Sequence, residues 1–332
     1  MTATAVVAER PPRATVGWRD LIGVTWRQHR LMLVGTGVLV LAAIAAMLWV
    51  SANVEKDADL IGLPGLRQIS DLGELLLAGV LGFSGLIAVF WAAPLLSKEY
   101  EQRTHLLVWS QDVSPLRWLA VKTTVLAVVA VAFSVALGVT ASFMMHRILE
   151  APAQYPPVFS LFRSPYFDDV ALTQAAYALF GFALGLAVSA ICRRTVTSMG
   201  VTLALFVGVR AVVERFVRPY FQTPVRETNP IGVDGPATSV MQPNSLSVAS
   251  GNLDAAGNPI DFPRVCNTGS SVHTAQDYHA CLRQNGVVSN YRDFQPADRL
   301  GFFQFAEFGV FVVLAAVLLL VGLRVVRRMS RV

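Results

Sequence analysis

Residues 94–122 read PLLSKEYEQRTHLLVWSQDVSPLRWLAVK. This stretch decides how the chain is organised. A long apolar run precedes it and another follows, so it forms a compact charged hairpin between two membrane spans. Its charges have mixed sign: Lys98, Arg103, Arg117 and Lys122 against Glu99, Glu101 and Asp112. Solvation or lipid head groups alone would not require that mixture. Mixed charge with the aromatics Tyr100, Trp109 and Trp118 suits a surface that docks a protein partner.

Composition places the rest of the chain in the same class. Of 332 residues, 54% are hydrophobic and 15% charged, and the mean hydropathy is +0.52. Soluble domains carry roughly 25% charged residues. The basic balance does not point to nucleic acid, because the basic residues sit beside apolar runs, where the positive-inside rule accounts for them. Runs long enough to cross a bilayer cover Leu31–Val50, Leu72–Leu96, Trp118–Met145, Val170–Ile191, Thr195–Val217 and Gly301–Leu323. The expected fold is therefore an all-α polytopic membrane protein with six transmembrane helices.

Basic residues cluster in the amino-terminal segment, in the 94–122 hairpin, at Arg193-Arg194 and in the carboxyl tail. That bias predicts cytoplasmic amino and carboxyl termini, and the expected location is a bacterial plasma membrane. The expected layout is a cytoplasmic tail with an interfacial amphipathic helix over 1–30, then spans one to five over 31–217 with a cytoplasmic hairpin at 97–117. A large extracytoplasmic loop follows over 218–300, then span six over 301–323 and a tail over 324–332. The interfacial helix rests on Trp18, Leu21, Ile22, Thr25 and Trp26, which recur at helical spacing.

The 218–300 loop is rich in Pro, Gly, Asn and Ser but carries two order signals. Cys266 and Cys281 lie in it, and a disulfide closing about 15 residues would stabilise it by ~3 kcal/mol in the chain-entropy model. Thr274-Ala-Gln-Asp277 reads as a helix start and Asn285-Gly286 as its stop. A metal site from Cys266, His273, His279 and Cys281 is the alternative, weakened because residues two apart cannot share a helical face.

Ionisable residues inside or at the edge of spans are Glu74, Arg210, Glu214 and Glu307. A lone arginine in a bilayer is costly, so Arg210 is expected to pair with Glu214 one turn on or with Glu307 across a helix contact. Arg210, Glu214 and Glu307 are thus candidates for a structural ion pair or an outer gate. Gly181-Phe-Ala-Leu-Gly185 is a small-xxx-small match and marks close helix packing.

No Gly-x-x-x-x-Gly-Lys-Ser/Thr occurs, so the chain cannot cradle ATP by that route and is not expected to be an enzyme itself. Gly82-Phe83-Ser84-Gly85 resembles the serine motif of rhomboid proteases, but no histidine lies well inside a span to act as its base. No metal or cofactor is expected in this chain.

The segment running from Ala93-Pro94-Leu95-Leu96 through Glu99-Tyr100-Glu101, Thr104, Trp109-Ser110-Gln111 and Arg117-Trp118 to Lys122 resembles permeases of the type-two ABC exporter family (ABC-2-type transporter permeases). Tyr291, Gln295 to Arg299, Phe303-Gln304 and Glu307 add to the resemblance near span six. It implies two permease copies, forming a homodimer or related heterodimer, assembled with separate ATP-binding subunits that carry ATP and Mg. It makes Lys98, Glu99, Glu101, Arg103 and Thr104 the candidates for coupling to the ATPase, and lines the pathway with spans two and five. Membrane lipid surrounds the complex, and export is the usual direction. Phe83, Phe90 and Phe206 suggest an apolar or amphipathic cargo such as a drug, antibiotic or lipid-like molecule. The competing classes are a secondary transporter or channel without an ATPase, and a membrane sensor or assembly protein reading a ligand through its outer loop.

Overall fold

The computed structural model describes residues 17–58, 67–102, 115–150, 161–231, 244–268 and 274–329. The expectations for Arg103, Thr104 and His273, and for the outermost parts of both tails, lie outside them. Nine helices and four strands are described: α1 Trp18–Ala58, α2 Arg67–Ile87, α3 Pro94–Glu101, α4 Pro115–Glu150, α5 Ala171–Cys192, α6 Thr195–Val212, β1 Val225–Pro230, β2 Leu246–Leu253, β3 Pro259–Ile260, α7 Val265–Thr268, α8 Ala275–Gln284, β4 Ser289–Gln295 and α9 Leu300–Met329. Six helical stretches are long and apolar enough to cross a membrane. They are α1, α2 with α3, α4, α5, α6 with the turn beyond it, and α9.

The first of these corrects an expectation. The amphipathic segment and span one form one uninterrupted helix of 41 residues. At 1.5 Å per residue that is about 60 Å, twice the hydrocarbon thickness. No proline stands between Trp18 and Ala58, and neither Arg30 nor Leu31 breaks the backbone ladder. Leu21 and Thr25 are buried while Trp18, Ile22 and Trp26 stay exposed. The predicted face therefore exists, but as the first turns of the span.

Helix α5 is the most buried span, and α2, α4, α6 and α9 pack around it, while α1 packs against α2 and α4. The glycines of α5 explain how its neighbours come so close. A Cβ on Gly185 would fall 2.6 Å from the Ala88 carbonyl oxygen and 2.6 Å from Ala92 Cβ, and one on Gly181 would fall 3.0 Å from Ala88 Cβ. The small-xxx-small pair thus receives the backbone of the turn after α2. That turn, Ala88–Ala92, is π-helical. One extra residue per turn frees donors and acceptors that α5 and α6 then satisfy. Ser189 Oγ accepts from the backbone N–H of Leu96 (3.0 Å) and of Ser97 (2.8 Å), and Ser198 Oγ donates to the Ala93 carbonyl at 3.1 Å. In a membrane a broken helix persists where neighbours take up its freed groups.

At the opposite end of the bundle the chain departs from the all-α expectation. The 218–300 loop holds a four-stranded antiparallel sheet in the order β1-β4-β2-β3. In its register Thr228 faces Tyr291, and Gly251 faces Tyr291 from the other side. The Tyr291 ring fills the space above Gly251, where a Cβ would sit 2.7 Å from the ring. These strands are short and rich in Ser, Asn and Gly, so alternation did not reveal them. The Arg226 guanidinium hydrogen-bonds the Asp293 carboxylate across the β1–β4 pair at 2.7 and 2.8 Å and holds that carboxyl below its usual range.

Beside the sheet, Cys266 and Cys281 form a disulfide, so neither serves as a metal ligand. Helix α8 starts with a capping box: Thr274 accepts from the Asp277 N–H, and Asp277 accepts from the Thr274 N–H. Gly286 follows its end at φ 83°.

Candidate functional site

Of the coupling candidates, Lys98, Glu99 and Glu101 belong to α3, which continues span two after the π-helical turn. Each acid of α3 is tied to a different span. Lys122 on α4 donates to Glu99 Oε1 at 2.6 Å, and the pair is nearly enclosed, with side-chain exposures of 5% and 17%. The Lys122 ammonium also lies 4.8 Å from the Trp118 ring centre. Glu101 takes the first turn of α6: Thr195 N–H donates to Oε1 at 3.0 Å and Thr195 Oγ1 to Oε2 at 2.6 Å. Arg194, the residue at the N-cap of α6, supplies no side-chain cap, so an acid from another helix fills the role that a capping residue normally plays. Lys98 faces outward. With the Ser189 contacts, α3 is bound to spans three, four and five together.

Near the sheet end, the structure gives Arg210 and Glu307 partners other than those expected. Glu307 pairs with Arg218, which follows span five: Arg218 Nε donates to Oε2 at 2.7 Å and Nη2 to Oε1 at 2.8 Å. Arg218 Nη2 also donates to Asp168 Oδ1 at 2.6 Å, and Nη1 to the Phe162 carbonyl at 3.0 Å. The guanidinium packs 3.9 Å from the Phe167 ring, and Arg218 is 2% exposed. Arg210 Nη2 lies 3.2 Å from Asp168 Oδ2, an ion pair whose geometry makes no hydrogen bond. Its Nη1 donates to the Leu81 carbonyl at 3.1 Å, and its plane lies 4.0 Å over Tyr177. Tyr177 Oη sits 2.7 Å from Asp168 Oδ1 and 2.6 Å from Glu307 Oε1. One hydroxyl proton serves two acids there. Two arginines thus balance Asp168 and Glu307, with Tyr177 bridging.

A third acid, Asp169, is buried next to them. Its Oδ1 accepts from Gln174 Nε2 at 3.2 Å, and its Oδ2 has no hydrogen-bond partner. Gln174 Oε1 also accepts from Ser84 Oγ at 3.0 Å. The serine of the rhomboid-like motif therefore faces an amide, which is no base.

Glu214 joins neither arginine. It sits in the π-helical turn Val213–Val217 that ends span five, where two cavities meet. One is an apolar groove of about 660 Å³ between α2 and α6, lined by Gly79, Gly82, Phe90, Phe206, Arg210 and Glu214 among others. The other, about 580 Å³, lies between the end of span five and β2 and includes Arg163, Glu214, Arg215 and Ser247. Ala211 and Glu214 line both. Of the phenylalanines expected to line a pathway, Phe90 and Phe206 border the groove.

Sequence reasoning missed Asp168, Asp169, Tyr177 and Arg218. The acids stand just before α5 and the arginine just after span five, at positions that look like solvated loop ends. The available signal was the direct abutment of charged residues on apolar runs, Asp168-Asp169 before Val170 and Arg218 after Val217.

No curated protein and no solved structure matches the chain significantly. A family model described as "ABC-2 membrane transporter related" matches residues 31–218, which takes in spans one to five, the helix α3 and the buried Arg218. With six spans, one of them central, a hairpin helix bound to three of them, and the family match over residues 31–218, the chain belongs to the ABC-2 membrane transporter related family.

Proposed function

We propose that the chain is the membrane-spanning permease subunit of an ATP-driven exporter. A separate ABC ATP-binding subunit supplies ATP and Mg chemistry from the cytoplasm, and a second permease copy completes the pathway. In this reading the termini and α3 are cytoplasmic, and the sheet end is extracytoplasmic on a bacterial plasma membrane. The cargo is apolar or amphipathic, in keeping with the groove between α2 and α6.

The observation that carries the reading is the triple attachment of α3. A permease driven from outside needs a rigid element that receives a push and passes it to several spans. Helix α3 is continuous with span two, is tied by Glu99 to Lys122 of span three, is held by Ser189 of span four, and caps span five through Glu101. A charged loop that only fixes topology needs none of these contacts. Because Glu99 and Glu101 are engaged within the chain, Lys98, which faces outward, is the described candidate for touching the ATPase.

Photo-crosslinking tests this assignment. A benzoyl-phenylalanine in place of Lys98 is expected to capture a co-expressed ABC ATP-binding subunit, while the same probe at Leu205, an exposed position on span five, gives no such adduct. Equal adducts at the two positions, or none at Lys98, would sink the coupling role.

A further inference from the structure

The geometry points to a headgroup site at Glu214: the joined groove and vestibule take an amphiphile whose headgroup carries both an ammonium and a phosphate, a phosphoethanolamine-type lipid. This deepens the permease reading by naming a cargo class, and it relies on that reading only for the idea that a bound amphiphile is cargo.

The shape supplies the first part of the argument. The apolar groove between α2 and α6 is open along its floor: a Cβ added to Gly79 or Gly82 would meet nothing within 4 Å. A hydrocarbon chain lying there replaces lipid contacts with Phe90 and Phe206. Ala211 and Glu214 also line the vestibule beneath β2, so the two cavities are neighbours across these residues. An occupant with an apolar body in one cavity can place a polar head in the other.

Charge supplies the second part. Arg210, Arg218, Asp168 and Glu307 balance one another, and the third acid, Asp169, is held by Gln174 and lines neither cavity. What remains at the junction is Glu214, half-buried, with Arg163 and Arg215 exposed on the vestibule wall. Among the described residues the side chains of these three have no ion-pair or hydrogen-bond partner within the chain. A half-buried carboxylate at the end of a span is costly without a counter-charge. A purely cationic head would meet two arginines and a purely anionic one would meet Glu214. A head carrying both signs complements all three, with ammonium on Glu214 and phosphate on the arginines, whose forked donors match phosphate oxygens.

The test is native mass spectrometry of the purified full chain titrated with three dioleoyl lipids of equal tail length: phosphatidylethanolamine, phosphatidylglycerol and a trimethylammonium-propane lipid. The ethanolamine lipid is expected to occupy the chain about threefold more than either of the others, the scale of one partly exposed ion pair. Glu214→Gln should bring it down to the level of phosphatidylglycerol. Arg163→Gln with Arg215→Gln should raise the trimethylammonium lipid above phosphatidylglycerol. Gly82→Leu, which adds bulk where a Cβ meets nothing within 4 Å, should lower all three. Equal retention of the three lipids by the wild-type chain would overturn the proposal, leaving the groove as generic lipid contact. So would retention of none, with a second copy closing the groove, an unchanged Glu214→Gln, or headgroup selection that survives Gly82→Leu. None of these outcomes involves the ATP-binding subunit, so they are distinct from a failure of the permease reading.

Discussion

Arg218 is the residue on which the sheet end depends. It carries a full charge at 2% exposure and satisfies Glu307, Asp168 and the Phe162 carbonyl together. Removing one partner of a buried ion pair typically costs 3–5 kcal/mol, because the remaining charge is stranded. Arg218→Met is therefore expected to lower the stability of the purified chain by about that much, and Glu307→Gln added to it should cost less than the two single changes summed. Thermal unfolding of the four proteins in one detergent checks this; additive losses would show that the two residues are not coupled. Arg210 and Glu307 were visible in the sequence because they interrupt apolar runs. Their partners were not, because Asp168 and Arg218 flank their runs, and only the tertiary approach of α5, α9 and the end of span five decides who meets whom. A spacing rule for one helix offered Glu214 to Arg210, whereas the fold brings Asp168 from another segment and leaves Glu214 facing the groove.

Helix α3 is where local structure meets mechanism. Glu101 supplies the N-terminal cap that α6 lacks. Glu101→Ala is expected to leave the bundle folded and to loosen the first turn of α6, read as faster amide exchange at Thr195 to Ser198 with little change elsewhere. Unchanged exchange there would remove Glu101 from the lever. At the other end, Cys266→Ser with Cys281→Ser should cost ~2–4 kcal/mol within the sheet domain and raise its protease sensitivity while the spans stay intact. Equal protease sensitivity with and without the disulfide would contradict that. The sequence displayed the cysteines, the capping box and the glycine stop of α8, since each is a local pattern. It hid β1, β2 and β4, which are polar and held by register and by Tyr291 over Gly251. It also hid the π-helical turn, which contains no proline or glycine and becomes visible only where Gly181 and Gly185 accept its backbone.

For the whole molecule, the six spans are legible from hydropathy alone, and the family match over 31–218 agrees with them. What hydropathy could not convey is the division of labour along the bundle axis. One end carries a helix bound to spans three, four and five, and the other carries a buried ion network, a groove and a disulfide-stapled sheet. In the proposed reading, α3 receives the input at one end and the groove takes cargo near the other, the arrangement of a driven permease. The most direct measurement is ATP hydrolysis by the proposed ABC ATP-binding subunit, co-expressed and co-purified with this chain in lipid nanodiscs. The account predicts that the two co-purify, that the wild-type chain changes the hydrolysis rate severalfold, and that Glu99→Ala with Glu101→Ala abolishes the change while the subunits still co-purify. A rate that is the same with the wild-type chain, with the double variant and with no chain at all would contradict it.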